Sequence, residues 1–268
     1  MNVIHPNAII GSGTTVGHFT TIENDVEIGE NCWIGSNVSI MSGTRIGDHT
    51  RIFPGAIVGA VPQDLKFDGE ASILEIGNHV TIREYCTINR GTKANYKTQI
   101  KDNCLLMAYV HIAHDCMIGE RSILANNVNL AGHIEIGTNV VLGGLTAIHQ
   151  FVKIGDHSMV GGGSLVRKDV PPFVKAAREP LCFVGINSVG LRRRGFSNDE
   201  VHHIQHIYRL LFQKGYNVTQ ALEVIESSIS PSVFKDQVLA FIRNSDRGLM
   251  KGFRQLNVMN GSQITEPR

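Results

Sequence analysis

The chain has 268 residues, with 25 Lys plus Arg against 24 Asp plus Glu and a formal net charge of +1 at pH 7. That balance gives no general pull toward nucleic acid or an acidic membrane surface. The opening Met1–Pro6 lacks the charged-then-apolar pattern of a secretory signal, and no apolar run approaches the about 18 residues of a membrane-spanning helix. A soluble, cytoplasmic protein with no nucleic-acid partner is the expectation.

From the N-terminus onward one pattern dominates. Of the 28 positions met at every sixth residue from Ile4 to Val166, all but Asp64, Glu70 and Ala94 are Ile, Leu or Val. A short fixed period marks a solenoid. It matches neither a helical stripe nor a strictly alternating strand. It does match short strands divided by turns, each with one inward aliphatic. Three strands close a triangular coil of 18 residues, and coils stacked about 4.8 Å apart build parallel sheets.

Two residues before each aliphatic stands a smaller inward filler, among them Thr14, Thr20, Val26, Cys32, Val38, Cys86, Cys104, Val110, Cys116 and Ser122. A densely packed prism needs one large and one small residue per side. The cysteines in this position are therefore read as core filler. The pairs Gly29-Glu30, Gly35-Ser36, Gly47-Asp48, Gly77-Asn78 and Gly119-Glu120 read as turns in which glycine supplies unusual backbone angles. Residues 1–58 are ten clean hexads, with His5, His18 and His49 as surface histidines that have no second histidine nearby.

Residues 59–75 interrupt the hexads. The gap from Val58 to Ile76 is 18 residues, one coil's worth, so the excursion is expected to leave and return in phase. Long loops in compact folds commonly carry function. A shorter excursion at 93–99 follows Asn89-Arg90-Gly91-Thr92.

Hexads resume from 100 to 166. With an 18-residue coil, His114 lies beneath Gly132 and Gln150, while Asp115 lies beneath His133 and Phe151. Neither His114 nor Asp115 is at an inward position, so both are expected on an exposed column. A histidine beside a carboxylate is the usual general-base arrangement, and the open amide of Gly132 suits an oxyanion in acyl transfer. Cys116 points inward and the column holds no other nucleophile. Direct transfer to an acceptor hydroxyl is the economical chemistry. The competing reading is a zinc enzyme of the hexapeptide-repeat carbonic anhydrase type, with His111, His114 and His133 as ligands.

Arg167-Lys168-Asp169-Val170-Pro171-Pro172 is expected to end the prism, since proline cannot continue a ladder. Residues 1–180 are thus the β-helix domain and 181–196 a connector bearing Arg192, Arg193 and Arg194. Helical residues occupy 197–254, opened by a capping box at Ser197–Glu200, continued by a helix capped at Asn217, and closed by one starting at Ser230-Pro231. His202, His203 and His206 have metal-like spacing but no paired acid. Residues 255–268 read as a disordered tail.

The motifs Gln63-Asp64-Leu65-Lys66, His111-Ile112-Ala113-His114-Asp115-Cys116, Leu124-Ala125-Asn126-Asn127, Leu130-Ala131-Gly132-His133, His149-Gln150-Phe151 and Gly190–Phe196, in this order, resemble the UDP-N-acetylglucosamine O-acyltransferases of lipid A biosynthesis. The resemblance implies a mostly β protein, a left-handed parallel β-helix of hexapeptide repeats followed by a C-terminal α-helical domain. It also implies a homotrimer with active sites in the clefts between prisms. The implied reaction moves an (R)-3-hydroxyacyl group from acyl carrier protein, where phosphopantetheine holds it, to the 3-hydroxyl of UDP-N-acetylglucosamine, without a cofactor or metal. By the same resemblance His114 is the base, Asp115 its orienting partner and Gly132 the oxyanion amide. His111, His133 and Gln150 match substrate contacts, and Asp64 and Lys66 match loop residues that meet the acyl hydroxyl and the sugar. Asn187 and Arg193 match nucleotide contacts, and Gly162 matches the floor of the acyl groove. Val189, Asn89 and Arg178-Glu179-Pro180 depart from the family pattern.

Overall fold

The computed structural model describes residues 1–252. Residues 253 and 254 of the expected helical region and the tail at 255–268 lie outside the described residues. Three parallel sheets run along the prism. Sheet A starts at Val3–Ile4, sheet B at Ile9–Ile10 and sheet C at Thr15–Val16, with nine, eight and eleven strands among the described residues. The coil is a left-handed parallel β-helix. Ile4 pairs with Ile22, Ile10 with Ile28 and Val16 with Ile34, the 18-residue repeat read from the sequence.

The first excursion returns in the hexad phase, as its length suggested, but it crosses one corner from sheet A to sheet B and does not span a whole coil. Val58 pairs with Ile88, Leu74 with Thr44 and Ile82 with Ile52, so this coil is 30 residues long. The twelve additional residues all leave between sheets A and B. The next coil pairs Ile76 with Ile100 and Ile88 with Ile112, 24 residues apart, and its six additional residues leave at the same corner. Both insertions are whole hexads, which is why the inward pattern survives them.

The interior holds the expected two fillers per side. The large ones, such as Ile40, Ile52, Leu106, Ile112 and Leu124, are buried, as are Val38, Cys86, Cys104 and Cys116. Many of the small fillers also satisfy the neighbouring coil. Thr20 Oγ1 donates to Gly35 O at 2.8 Å, Ser122 Oγ to Gly137 O at 2.9 Å, and Cys104 Sγ to Gly119 O at 3.2 Å. A hydroxyl or thiol there covers a corner carbonyl that no ladder reaches.

The hexad glycines act differently from the sequence expectation. Residues 29, 35, 47, 77 and 119 do not have positive φ; the left-handed corner angles belong to Asn31, Asn37, His49, His79 and Arg121. Glycine is required instead by the closeness of the coils. A Cβ at Gly47 would lie 2.7 Å from the Gly77 carbonyl carbon, and one at Gly35 would lie 2.9 Å from Pro54 Cδ. The long coil also brings His79 onto His49 as a parallel stack at 4.7 Å, so His49 does have a second histidine beside it.

The prolines at 171–172 do not end sheet C. They turn a corner where no ladder donor is needed, and residues 174–177 then pair with 159–160. Residues 182–186, read as connector, return antiparallel to 174–177 and pair with 251–252. Helix α1 (Ser188–Arg193) follows, then α2 (Asn198–Phe212) with the expected capping box, and α3 (Val218–Ser228) capped by Asn217. Helix α4 (Val233–Arg243) is capped by Ser232 and not by Ser230, because Ser232 Oγ is the group that accepts from Lys235 N. His203 Nε2 is bonded to the same Ser232 Oγ at 2.7 Å. Tyr208 seats α2 on the prism through its hydroxyl, which donates to Pro172 O.

Close stacking makes a testable distinction between glycines. Gly47→Ala places its Cβ against the backbone of residues 77 and 78 and is expected to cost about 1–3 kcal/mol by overpacking. Gly69→Ala meets nothing within 4 Å and carries only the strain of its φ of +82°. Thermal denaturation should therefore rank Gly47→Ala well below Gly69→Ala; the reverse order refutes the close-approach explanation.

Candidate active site

The two insertions and the His114-Asp115 pair occupy one corner of the prism. In the coil after the 24-residue one, His111–Ile112 belongs to sheet A and Met117–Ile118 to sheet B, so residues 113–116 turn the corner next to the second excursion. That placement buries what the sequence reading put on an exposed column. His114 is 5% and Asp115 2% exposed.

Asp115 is held from several sides. Its Oδ1 accepts from the backbone N–H of Thr92 at 3.0 Å and of Asn95 at 3.3 Å. Its Oδ2 accepts from the Thr92 hydroxyl at 2.7 Å and pairs with His114 Nδ1 at 2.7 Å. The Asp115 N–H donates to Thr98 Oγ1 at 2.8 Å. Thr92, Asn95 and Thr98 are site residues that sequence reasoning did not assign. The only hint was that Thr92 stands at the edge of a broken hexad. A buried carboxylate requires donors of this kind. With Nδ1 engaged on Asp115, His114 has Nε2 left to take a proton.

The imidazole rests on Gly132. A Cβ there would lie 2.6 Å from His114 Cε1 and 2.7 Å from Nε2. The glycine is therefore needed to admit the ring, a stricter reason than an approachable amide. Among the described residues no backbone carbonyl accepts from the Gly132 N–H. His133 meets His114 edge-on at 5.0 Å, stacks on Phe151 at 4.6 Å, and has Nε2 3.8 Å from Asp115 Oδ2. Burial lowers the His133 pKa, His114 lowers it further, and Asp115 and Asp64 oppose the shift. Burial likewise lowers that of His111, whose Nδ1 is bonded to Thr87 Oγ1 at 2.8 Å. Burial raises the Cys116 thiol to about 12, and its Sγ donates to Ala131 O at 3.1 Å. It is core filler and no nucleophile.

The remaining candidates are distributed. Asp64 and Lys66 lie on the first excursion, where Asp64 Oδ1 accepts from the Lys66 N–H at 3.0 Å. That loop is tied down by Asn89, whose Nδ2 donates to Val61 O at 2.9 Å, and by Arg90, which donates to Ser42 O and lies over Phe67. Glu70 joins the two excursions by accepting from Lys93 N at 2.9 Å. Gln150 is exposed, two coils above His114 at the same corner. Gly162 is on a different corner, between sheets C and A, where its Cβ would meet Gly144 O at 3.0 Å. Asn187 is buried and structurally employed: Oδ1 caps α1 and Nδ2 donates to His157 O at 2.9 Å, at the corner between sheets B and C. Arg193 is exposed in the last turn of α1. A single chain thus joins His114, Asp115, Gly132 and His133, and leaves Gly162, Asn187 and Arg193 elsewhere.

The three-histidine zinc reading finds no support in this geometry. Among the described residues, the side chains grouped closely enough to share an ion are His114, Asp115 and His133, with ligand atoms within 4.8 Å of one another. His111 is bonded to Thr87 instead, and both Asp115 oxygens are already engaged by Thr92.

Histidine ring titration by NMR tests the electrostatics. His111 and His133 should titrate below the ordinary value of about 6.5, in the direction set by burial. A histidine kept neutral by the fold contributes stability above that unfolded-state value and loses it as the pH falls below it. Titration of either ring above 6.5 overturns the assignment.

Comparisons with known proteins give the family of the chain. A family model described as UDP-N-acetylglucosamine O-acyltransferase, domain 2, matches residues 169–250, and the bacterial transferase hexapeptide model matches 25–60 and 97–132. The acyl-[acyl-carrier-protein]–UDP-N-acetylglucosamine O-acyltransferase of Sulfurihydrogenibium sp. is 51% identical over 253 residues, covering 92% of this chain and 93% of that protein. That of Chlorobaculum parvum is 51% identical over 255 residues, covering 92% and 97%. The crystal structure of the UDP-N-acetylglucosamine acyltransferase from Bacteroides fragilis superposes with a TM-score of 0.92 at 44% identity, covering 93% of this chain and 98% of that one. With half of its residues shared over nearly its whole length, the chain belongs to the acyl-[acyl-carrier-protein]–UDP-N-acetylglucosamine O-acyltransferases.

Proposed function

We propose that the protein transfers an (R)-3-hydroxyacyl group from acyl carrier protein to the 3-hydroxyl of UDP-N-acetylglucosamine, the first step of lipid A biosynthesis, with His114 as general base. The observation that carries this is the 2.7 Å bond between His114 Nδ1 and Asp115 Oδ2, with the imidazole seated on Gly132. His114 Nε2 takes the proton of the sugar hydroxyl as its oxygen attacks the thioester carbonyl. The new C–O bond leaves an oxyanion facing the Gly132 amide. Collapse breaks the C–S bond, and the imidazolium returns its proton to the phosphopantetheine thiolate. Buried Asp115 stabilises the imidazolium in between. Proton transfer and positioning suffice, so the reaction needs no metal and no cofactor beyond the carrier-bound donor.

His133 and Gln150 share the corner with His114, His111 lies beside it on sheet A, and these suit the sugar and its acyl donor, while Asp64 and Lys66 stand on the first excursion at the same corner. Gly162, Asn187 and Arg193 lie elsewhere on the same chain, which supports a homotrimer. In a trimer the A-to-B corner of one copy faces the C-sheet side of the next, and the missing acyl floor and nucleotide contacts come from the neighbour. Arg192 and Arg193 at the end of α1 offer positive charge to an acidic carrier protein. Among the described residues no helix is long and apolar enough to cross a membrane, which suits a cytoplasmic enzyme with soluble substrates.

Mass spectrometry of UDP-N-acetylglucosamine incubated with a ladder of 3-hydroxyacyl carrier proteins tests the reading. One acyl group should be added, and His114→Ala should lower the rate by about a hundredfold or more. Gly162→Met should shift the preferred donor to a shorter chain, and the solution mass should be three times 29.4 kDa. No product from any donor with folded protein would sink the acyl-transfer reading, and a monomeric mass would sink the shared site.

A further inference from the structure

We propose that Thr92 is a positioning residue of this reaction, fixing the plane of the Asp115 carboxylate and sharing the oxygen on which His114 is oriented. The inference rests on His114 being the base, as read above. Its starting point is how Thr92 grips the acid. The backbone N–H holds Oδ1 at 3.0 Å and the hydroxyl holds Oδ2 at 2.7 Å, so one residue occupies both oxygens. Two contacts on opposite oxygens stop rotation about the bond to the carboxyl group, which a single donor would not.

The hydroxyl direction is also set. Thr92 Oγ1 accepts from Ala94 N at 3.2 Å, so its own proton points to Asp115 Oδ2. That same oxygen receives His114 Nδ1 at 2.7 Å and has His133 Nε2 at 3.8 Å. The acid's pull on the imidazole proton is therefore divided with a second, aligned donor. Thr92 is itself rigidly carried: Tyr96 N donates to Thr92 O at 2.6 Å, and Lys93 N donates to Glu70 Oε1 at 2.9 Å. Through Glu70 the loop bearing Asp64 and Lys66 is braced against the loop that ends on Asp115. A threonine placed merely to fill space would not align its hydroxyl on the acid of the dyad.

Thr92→Val keeps the shape and the backbone N–H and removes only the hydroxyl donor; Thr92→Ser restores it. Two readouts are needed. In turnover, the Val variant should lose about tenfold to a hundredfold in kcat, with KM for both substrates within about twofold, and the Ser variant should recover. In the free protein, the low-field proton resonance of the His114 Nδ1–H bonded to Asp115, assigned by its loss in His114→Asn, should move further downfield in Thr92→Val as Oδ2 loses its second donor. Thr92→Ser should return it. An unmoved resonance in the Val variant overturns the proposal, whether or not kcat falls, because a general loosening lowers kcat without changing this bond in that direction. Should Thr92→Val not fold, Thr92→Ala removes the same hydroxyl and is read the same way. The resonance needs no substrate, so absence of acyl transfer by the wild type would refute the reaction and leave this measurement to judge Thr92 by itself.

Discussion

The constraint on which everything else depends is that each coil rests directly on the next. Corner peptide groups approach so closely that hexad glycines have no room for a Cβ; at Gly47 it would fall 2.7 Å from the Gly77 carbonyl carbon. Strand pairing sets aliphatic on aliphatic along each sheet, as in Ile4 on Ile22, Ile10 on Ile28 and Ile34 on Ile52. Nothing can be added inside such a stack. Additional residues must leave at a corner and return on the same hexad phase, or every following side chain changes face. The insertions of twelve and six residues obey that condition, and both use the corner between sheets A and B. A rigid ladder therefore converts two irregular segments into a fixed wall beside His114.

That wall lets a carboxylate and an imidazole sit buried at a corner of a narrow β-prism. An isolated buried carboxylate is expensive, and Asp115 is 2% exposed. Thr92 and Asn95 offset this cost with backbone donors drawn from the excursion itself. His114 can lie flat on the next coil because residue 132 has no side chain. Burial and irregularity thus serve one end: donors fixed in advance around the His114–Asp115 pair, screened from water that would compete for them.

The solenoid was legible because a period of six admits few other structures, and the capping box at Ser197 was legible because its partners are three residues apart. Stacking by 18 correctly put His114 under Gly132 and His133 under Phe151. Other features were not local enough to read. The burial of Asp115 goes with the second excursion folding back onto it through Thr92 and Asn95, and no hexad position encodes that. The first excursion also counts 18 residues whether it circles the prism or crosses one corner. Only pairing partners such as Val58 and Ile88 tell these apart. The same ambiguity hid the stack of His79 on His49. Hexad glycines looked like turn formers because closeness between coils leaves the same residue type as an unusual φ. At α4 two serines both preceded a helical run, and hydrogen bonding chose Ser232.

The three outer faces are not equivalent, and the difference bears on how a complete site can form. Sheet B turns out Glu27, Arg45, Glu75 and Lys153, joined by ion pairs such as Arg45 with Glu27 at 3.1 Å and Lys97 with Glu75 at 2.9 Å. Such pairs contribute little to stability but suit a face kept in water. Sheet C instead turns out an aligned apolar column of Leu105, Ile123, Val141 and Met159. Sheet A adds Ile57 and Leu165. His114 stands where sheet A ends and Gly162 where it begins, on opposite edges of one face. The ion pairs therefore line sheet B, while the apolar column and the edges that carry His114 and Gly162 belong to sheets A and C.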